Sequence, residues 1–367
     1  MLNVISSTHS NAAFFTREDK TALLVETSSP LRASHLDNIR SRFIGKGREE
    51  IQPELLLLEL GRIAQNGMEP SFSEKLSLLN IVDCLPHTDR KILGPYSNRN
   101  TPAVLQELED RCARYLKPVT GDNVHGGNGV VRTVKENTDR YTISTIEGSL
   151  NREEFCTALT DYFSQYCGKM WTNSFAIERE ISIPLWEDSV WELRFVVGYD
   201  GRTLGSVLIG DYAKVNSGAC SNLAQGGVAV SSMEVLEGVV ESKAVKFRAE
   251  CAEAAYKAGQ DLALSATGLL RNAISREIEK LVGTTPPPHL VGPHRVAVDI
   301  VYQWGGDRLT PLIMELQYPG AGLSGLETIC PAAACKFEAS LSESRKDSMA
   351  KVQEWISSVL PHLRTSR

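Results

Sequence analysis

The sequence predicts an α+β protein built from more than one lobe. Hydrophobic residues make up 42% of the 367 positions, which is enough for a large core. Strand-like and helix-like segments follow one another irregularly along the chain, whereas a regular doubly wound sheet would alternate them strictly. No repeat of solenoid length is present, so a repeat array is not expected.

The first half is expected to carry helices and short strands around a turn-rich boundary at 85–102. Apolar residues from Leu105 to Leu116 recur every three or four positions, which predicts a helix over 103–116. The other elements expected here are helices near 54–65 and 152–167 and strands at 129–134 and 140–145.

The second half is expected to hold two hairpins separated by a long helix. Apolar runs on both sides of "YDGR" predict one hairpin over 190–210, and "WGGDRL" joins two further strands, 295–303 and 310–317. The helix over 242–282 has apolar residues from Leu270 to Leu281 on one face. A strand at 174–183 and a closing helix at 348–363 complete the expected elements.

Composition and charge argue against several classes of partner. The net charge is -6 and no long run of Lys or Arg occurs, so no nucleic-acid partner is expected. The chain starts without a basic and then apolar leader and has no bilayer-length apolar stretch, so we expect a cytoplasmic protein without a membrane partner. Eight cysteines include no Cys-x-x-Cys pair, which indicates reduced thiols and no zinc site.

A Gly-rich segment follows Lys117 and contains Gly126, Gly127 and Gly129. Glycines let backbone N–H groups approach an anion closely, and a nearby lysine adds a point charge, so the segment suits nucleotide phosphates. It is not a Walker A loop, because no G-K-[ST] ends it. A flexible hairpin loop with a chance lysine stays open as the alternative.

Three oxygen-bearing side chains occur in the last two predicted strands. Asp299 lies in the apolar run "AVDIV", while Glu315, sixteen positions later, and Gln317 lie on one face of "LIMELQ". If the strands pair, these side chains converge, and hard oxygen ligands of this kind bind Mg²⁺. Buried salt-bridged acids are the alternative, but bare buried carboxylates need a cation, which favours the metal.

A third group consists of Arg194, Lys214 and Asn222, in or after the predicted hairpin. Arginine and lysine beside a metal-phosphate site can clamp a transferring phosphoryl group. The alternative is a surface ion pair of Arg194 with Glu192 or Asp200.

Taken in chain order, these segments resemble the ATP-grasp family over about residues 85–330: "LKPVTGDNVHGGNGV", "FAIEREI", "ELR", "SNLAQGG", "AVDIV" and "IMELQ". "CLPHT" followed by a helix and "YLKPVTGDNVHGGNGV" most resembles the YheCD-like, endospore-coat-associated branch, and "SNLxxGG" is shared with peptide ligases of the superfamily. The resemblance implies ATP held between two α+β lobes. It implies an amino-terminal domain over 1–90, a Gly-rich-loop subdomain over 91–180 and a metal-carrying subdomain over 181–367.

The resemblance also implies a role for each candidate residue. ATP phosphates would be bound by Lys117 and the loop of Gly126, Gly127 and Gly129, and adenine by the hinge Glu178, Arg179, Glu180 and Ile181. Phosphoryl transfer would be assisted by Arg194, Lys214 and Asn222, and Mg²⁺ held by Asp299, Glu315 and Gln317. The sequence departs from the pattern in having Gln317 for the usual Asn, Glu192 for the usual Asp, and either Arg90 or Lys91 for the usual linker lysine.

The activity implied is that of an ATP-dependent carboxylate–amine ligase. Such an enzyme joins a small-molecule acid to an amine, such as an amino acid or peptide, through an acyl phosphate and releases ADP and phosphate. A phosphotransferase and a non-catalytic nucleotide-binding structural protein stay open as alternatives. Self-association into a homo-oligomer is also open.

Overall fold

The computed structural model describes residues 82–93, 100–118, 129–169, 175–200, 205–217, 223, 226–243, 248–282, 284–286, 296–317 and 324–332, with 354, 355 and 358. The expected helix at 54–65 and most of that at 348–363 lie outside these ranges. The described residues form two antiparallel five-stranded sheets with helices packed on them, so the α+β prediction is confirmed.

The first sheet has the strand order β1-β5-β2-β3-β4. A core of Leu116, Phe155, Phe163, Phe175 and Ile177 fills the space between one face of this sheet and its helices. The elements of this lobe are β1 (Arg90–Leu93), α1 (Asn100–Glu107), β2 (Arg114–Pro118), β3 (Val131–Lys135), β4 (Tyr141–Ile143), α2 (Arg152–Lys169) and β5 (Phe175–Arg179).

The second sheet has the strand order β10-β9-β6-β7-β8. Two helices cover one of its faces, and the core between them includes Trp191, Phe195, Leu270, Val298 and Ile300. The elements of this lobe are β6 (Val190–Asp200), β7 (Gly205–Asn216), β8 (Val228–Val230), α3 (Ser232–Ser242), α4 (Arg248–Val282), β9 (Val296–Gly305), β10 (Arg308–Gln317) and α5 (Ser324–Ile329).

The expected helix over 103–116 is wrong in its second half. Helix α1 ends at Glu107, Arg111 has a positive φ of 59°, and the chain re-enters as strand β2 at Arg114. Leu116 does lie in the core, but it reaches it through the period-two alternation of a strand. The helix expected over 242–282 is confirmed as α4, which begins at Arg248 and ends at Val282, whereas α3 (Ser232–Ser242) was not expected.

The β9–β10 hairpin is confirmed, and its register places Asp299 directly opposite Glu315. Its two-residue turn begins with Gly306, whose φ of 70° suits a residue without a Cβ. A bulge between Ile313 and Glu315 then shifts the pairing. Because of this shift, Ile313 faces the core with Ile300, while Glu315 joins Asp299 on the opposite face.

The two sheets are connected by the segment just before β1. The amide of Thr88 donates to the carbonyl of Ile313 at 3.0 Å, and the amide of Ile313 donates to the carbonyl of Pro86 at 3.0 Å. This segment therefore lies along β10 before the chain enters the first sheet. Within the described residues, no helix has the length and apolar character needed to cross a membrane.

Candidate functional site

A row of charged side chains crosses the second sheet on the face that α3 and α4 leave uncovered. The strand register pairs Lys214 of β7 with Glu192 of β6, Arg194 of β6 with Asp299 of β9, and Asp299 with Glu315 of β10. Cross-strand partners lie on one face of a sheet, so five ionisable groups share this surface. Four strands, drawn from two hairpins, are needed to assemble it.

Asp299 is the centre of the row and is 2% exposed. Arg194 donates to both of its oxygens, from Nε to Oδ1 at 2.7 Å and from Nη2 to Oδ2 at 2.7 Å, and Lys214 Nζ adds a bond to Oδ2 at 2.9 Å. Burial alone raises the pKa of Asp299, but the positive charges of Arg194 and Lys214 outweigh it and hold the pKa far below its ordinary value. Asp299 is therefore an ionised and strongly paired carboxylate.

Lys214 lies between two acids. Its ammonium contacts Glu192 Oε1 as well as Asp299 Oδ2, and the side chains of Lys214 and Glu192 are each 7% exposed. Burial lowers the pKa of Lys214, but the charges of Asp299 and Glu192 more than offset this and raise it. Lys214 and Arg194 thus stay positive. Asp299 is a buried salt-bridged acid, as the alternative for it stated, and its partner Arg194 was expected to pair with Glu192 or Asp200 instead.

Glu315 and Gln317 share a face of β10, as expected, and Gln317 Nε2 donates to Glu315 Oε1 at 2.8 Å. Both are partly exposed, in contrast to Asp299. No group of three or more His, Cys, Asp or Glu side chains that could hold a metal occurs in the described ranges. Asp299, Glu315 and Gln317 together offer two carboxylates and one amide oxygen.

This donor set fits a hard divalent cation that takes its remaining ligands from a substrate. A carboxylate oxygen has two acceptor positions, and Asp299 Oδ1 accepts one bond, from Arg194, among the described residues. Glu315, Gln317 and this remaining position are oxygen donors of the type that Mg²⁺ prefers. Mg²⁺ commonly binds through one or two carboxylates and substrate phosphates, so the set is sufficient without a third acid.

A second charged cluster lies on the first lobe. Lys117 Nζ contacts Glu178 Oε2, and Arg90 Nη1 lies 3.9 Å from Glu178 Oε1. Lys117 was expected at ATP phosphates and Glu178 at the adenine hinge, and the structure brings their charges together. Glu178 therefore holds two cations on this sheet, as Asp299 does on the other.

Arg90 lies between the Glu178 cluster and strand β10 of the second sheet. Its guanidinium is 3.5 Å from the carbonyl oxygens of Ile313 and Met314 in β10 and donates to Thr88 Oγ1 at 2.9 Å. Burial lowers the pKa of Arg90, while the negative charges of Glu178, and more weakly Glu315, act against that change. Its Nε is buried and has no hydrogen-bond partner among the described residues.

The other expected hinge residues are placed at and after the end of β5. Glu180 accepts from Arg132 Nε at 2.6 Å and Nη2 at 2.9 Å, and Tyr115 Oη donates to it at 3.1 Å. Bonding to Arg132 lowers the pKa of Glu180. Arg179 contacts Cys112 Sγ at 3.1 Å instead and points away from this group, and Ile181 follows the strand.

The remaining candidate residues include Gly129 of the Gly-rich loop and the two linker cations. Gly129 has a φ of 78° and its carbonyl accepts from Tyr162 Oη at 2.8 Å. Gly126, Gly127 and Asn222 lie outside the described residues. Of the two linker cations, Lys91 is exposed and pairs with Glu107, whereas Arg90 pairs with Glu178 and lies 3.5 Å from carbonyl oxygens of β10.

The sequence reasoning missed Arg132 and Tyr115. Both lie in segments expected to flank the Gly-rich loop, but their pairing with Glu180 depends on β2 lying between β3 and β5. A basic residue at an exposed position of a strand carries no sign of its partner in the sequence. Only the strand order identifies it.

Comparison with protein-family models and with curated proteins gives no match to the chain. Among solved structures, the chain is similar to D-alanyl-alanine synthetase A from Vibrio cholerae, with 8% identity and a TM-score of 0.39, covering 74% of this chain and 64% of that one. It is also similar to the biotin carboxylase domain of the Hydrogenobacter thermophilus 2-oxoglutarate carboxylase, with 11% identity and a TM-score of 0.38, covering 73% of this chain and 43% of that one. For the D-alanine–D-alanine ligase of Bacillus anthracis the identity is 14% and the TM-score 0.38, covering 76% of this chain and 68% of that one. The chain thus spans less than two thirds of the first two.

Proposed function

We propose that the protein is an ATP-dependent carboxylate–amine ligase of the ATP-grasp kind. The observation that carries the proposal is the position of Arg90 between two cation-bearing sheets. On one side Glu178 holds Lys117, and on the other Asp299 holds Arg194 and Lys214. A polyphosphate lying between the sheets would meet cations from both, as electrostatic stabilisation of phosphoryl transfer requires.

In the proposed reaction a substrate carboxylate oxygen attacks the γ-phosphorus of ATP, and the bond from that phosphorus to the β–γ bridging oxygen breaks, which gives an acyl phosphate and ADP. An amine then attacks the acyl carbon, phosphate leaves with the bonding electrons, and the amine loses a proton as the amide forms. Neither step needs a nucleophilic side chain, since both nucleophiles belong to substrates. What the protein must supply is orientation and positive charge.

The residues of the charged row divide this work. Arg194 and Lys214 would offset charge that develops on the transferring phosphoryl oxygens, and Lys117 with Arg90 would bind the phosphates from the first lobe. Glu315, Gln317 and Asp299 would hold Mg²⁺, which supplies Lewis-acid polarisation of the phosphate. We further propose kinship with the YheCD-like branch, supported by the "CLPHT" segment, whose Thr88 contacts both Arg90 and β10.

The test is ADP formation measured with ATP, Mg²⁺ and a panel of amino acids and short peptides, with mass spectrometry of the products. We expect multiple turnovers of ADP formation only when an acid and an amine are both present, because the acid alone stops at the acyl phosphate, and Glu315→Ala should abolish them. The matched control is Glu109→Ala, an exposed acid paired with Lys135 in the first lobe, which should keep full activity. Full turnover by Glu315→Ala would refute the metal assignment. ADP formation with a hydroxyl acceptor and no amine would identify a phosphotransferase instead.

A second candidate function is nucleotide binding without turnover, as in a structural protein. Two observations favour it: Asp299 is already neutralised by Arg194 and Lys214, and Gln317 extends its amide one methylene further than the usual Asn. Calorimetric titration with Mg-ATP, followed by the ADP assay on the same sample, separates the two. Binding without ADP formation under any acid and amine combination would support this candidate over the ligase.

A further inference from the structure

Glu192 is not assigned a task by the proposed reaction, although it is buried and charged. It lies opposite Lys214 in the β6–β7 register, and its carboxylate contacts the Lys214 ammonium. Arg194 alone already donates to both oxygens of Asp299, so Asp299 does not depend on Lys214 for a partner. The same ammonium nevertheless reaches Asp299 at 2.9 Å and is thereby shared between two acids.

We propose that Glu192 is a positioning residue that shares the Lys214 ammonium with Asp299 and adds the negative charge with which this face binds a divalent cation beside Asp299 and Glu315. The inference rests on the proposed function, because it concerns the cation that the proposed reaction uses. In this role Glu192 touches neither the cation nor the nucleotide and still sets the affinity for the cation.

The charge of the row supports this role. Arg194 and Lys214 contribute two positive charges, and Glu192, Asp299 and Glu315 contribute three negative ones, so these five side chains sum to one net negative charge, while Arg90 acts on Glu315 from the first sheet. Without Glu192 the row is neutral, and Lys214 keeps Asp299 as its acid partner among the described residues. Because most of these groups are buried, one charge on this face acts through weaker screening than it would in water.

A purely structural ion pair between β6 and β7 makes a different prediction. Loss of such a pair would weaken the fold and affect every ligand in the same direction. Removal of a negative charge that tunes the site affects ligands according to their sign: a cation binds less well and a bare anion binds at least as well. The sign of the change therefore distinguishes the two roles.

The experiment is calorimetric titration of the full chain with ADP, once in EDTA and once in saturating Mg²⁺, and the readout is the ratio of the two affinities. We expect Glu192→Gln to lower the Mg²⁺ advantage roughly tenfold, a size typical of coupling between neighbouring sites. Glu192→Asp keeps the charge and should keep the ratio. Glu109→Gln is the control for loss of an acid elsewhere and should also keep it.

A compensating variant tests the same reasoning when Glu192→Gln proves unstable. Combining Glu192→Gln with Lys214→Met removes one charge of each sign and returns the row to one net negative charge, so the ratio should recover to that of the unmodified chain. Lys214→Met weakens ADP binding under both conditions, and the ratio is insensitive to that common loss. An equal loss of affinity with and without Mg²⁺ in Glu192→Gln, or a failure of the combined variant to recover, overturns the inference. Absence of ADP binding by the unmodified chain overturns the proposed function itself.

Discussion

Asp299→Asn is the substitution that most directly tests the charged row. The carboxylate is 2% exposed and accepts three charge-assisted hydrogen bonds, two from Arg194 and one from Lys214. Asparagine keeps one acceptor oxygen and turns an NH₂ donor toward cationic donors, which leaves buried positive charge unpaired. Removal of one partner of a buried ion pair costs about 3–5 kcal/mol, so we expect the free energy of unfolding to fall by that amount.

The assay is urea unfolding at pH 7 in EDTA, so that cation binding does not contribute. Asp110→Asn is the matched control, because Asp110 pairs with Arg114 but its side chain is 43% exposed. We expect the control to lose less than about 1 kcal/mol, as exposed pairs do. A loss below about 1 kcal/mol for Asp299→Asn as well would refute the view that these ion pairs determine the ionisation and position of Asp299.

The pH dependence of this difference has a defined sign. The pKa of Asp299 is lowered in the folded chain, so its contribution is complete above the ordinary pKa of an aspartate, about 3.9, and is lost as the pH falls from there toward the folded value. The stability gap between the unmodified chain and Asp299→Asn should therefore be constant from pH 5 to 8. It should narrow only in the acid range below about pH 4.

Three further predictions concern the core, the first lobe and the metal face. A Cβ at Gly259 would overlap the Tyr302 hydroxyl, so Gly259→Ala should lower the free energy of unfolding by about 1–3 kcal/mol. In a Tyr302→Phe background the nearest remaining atoms are those of Phe195 at 3.1 Å and 3.2 Å, and denaturant titration should show that most of the cost is removed. Equal costs in both backgrounds would contradict the packing argument. Lys117→Met should weaken ADP binding at least tenfold by calorimetry while exposed Lys91→Met does not, and equal effects would remove Lys117 from the phosphate site. Gln317→Glu places a second carboxylate beside Glu315, so the melting temperature should fall in EDTA and rise again on adding Mg²⁺; no recovery with Mg²⁺ would count against the cation site.

The sequence predicted the β9–β10 hairpin because apolar strands with period-two alternation flank a Gly-containing turn. Counting back from that turn was enough to expect Asp299 near Glu315. The bulge before Glu315 could not be predicted, because no particular residue type in the sequence marks the extra residue that forms it. Without the bulge, Ile313 and Glu315 would share a face, and the apolar and polar sides of β10 would conflict.

The partners of the charged residues were harder to predict than the strands. Arg194 was expected to pair, if at all, with Glu192 or Asp200, which are its neighbours in sequence, but it pairs with Asp299, 105 positions away. That contact depends on β6 lying between β7 and β9, a strand order that the sequence does not encode locally. For the same reason the cation that a buried Asp299 requires is supplied by two side chains of the protein, and the case for the metal now depends more on Glu315 and Gln317.

The backbone hydrogen bonds that Ile313 makes with Pro86 and Thr88 also bear on the solubility of the protein. Strand β10 is an outer strand of its sheet, and its "PLIMEL" sequence is the kind of apolar edge on which a second chain can add a strand and begin aggregation. The segment preceding β1 occupies the middle of that edge. A deletion of residues 82–89 would therefore expose an unpaired apolar edge at the strand that carries Glu315. We expect the first effect to be loss of soluble protein by precipitation during expression.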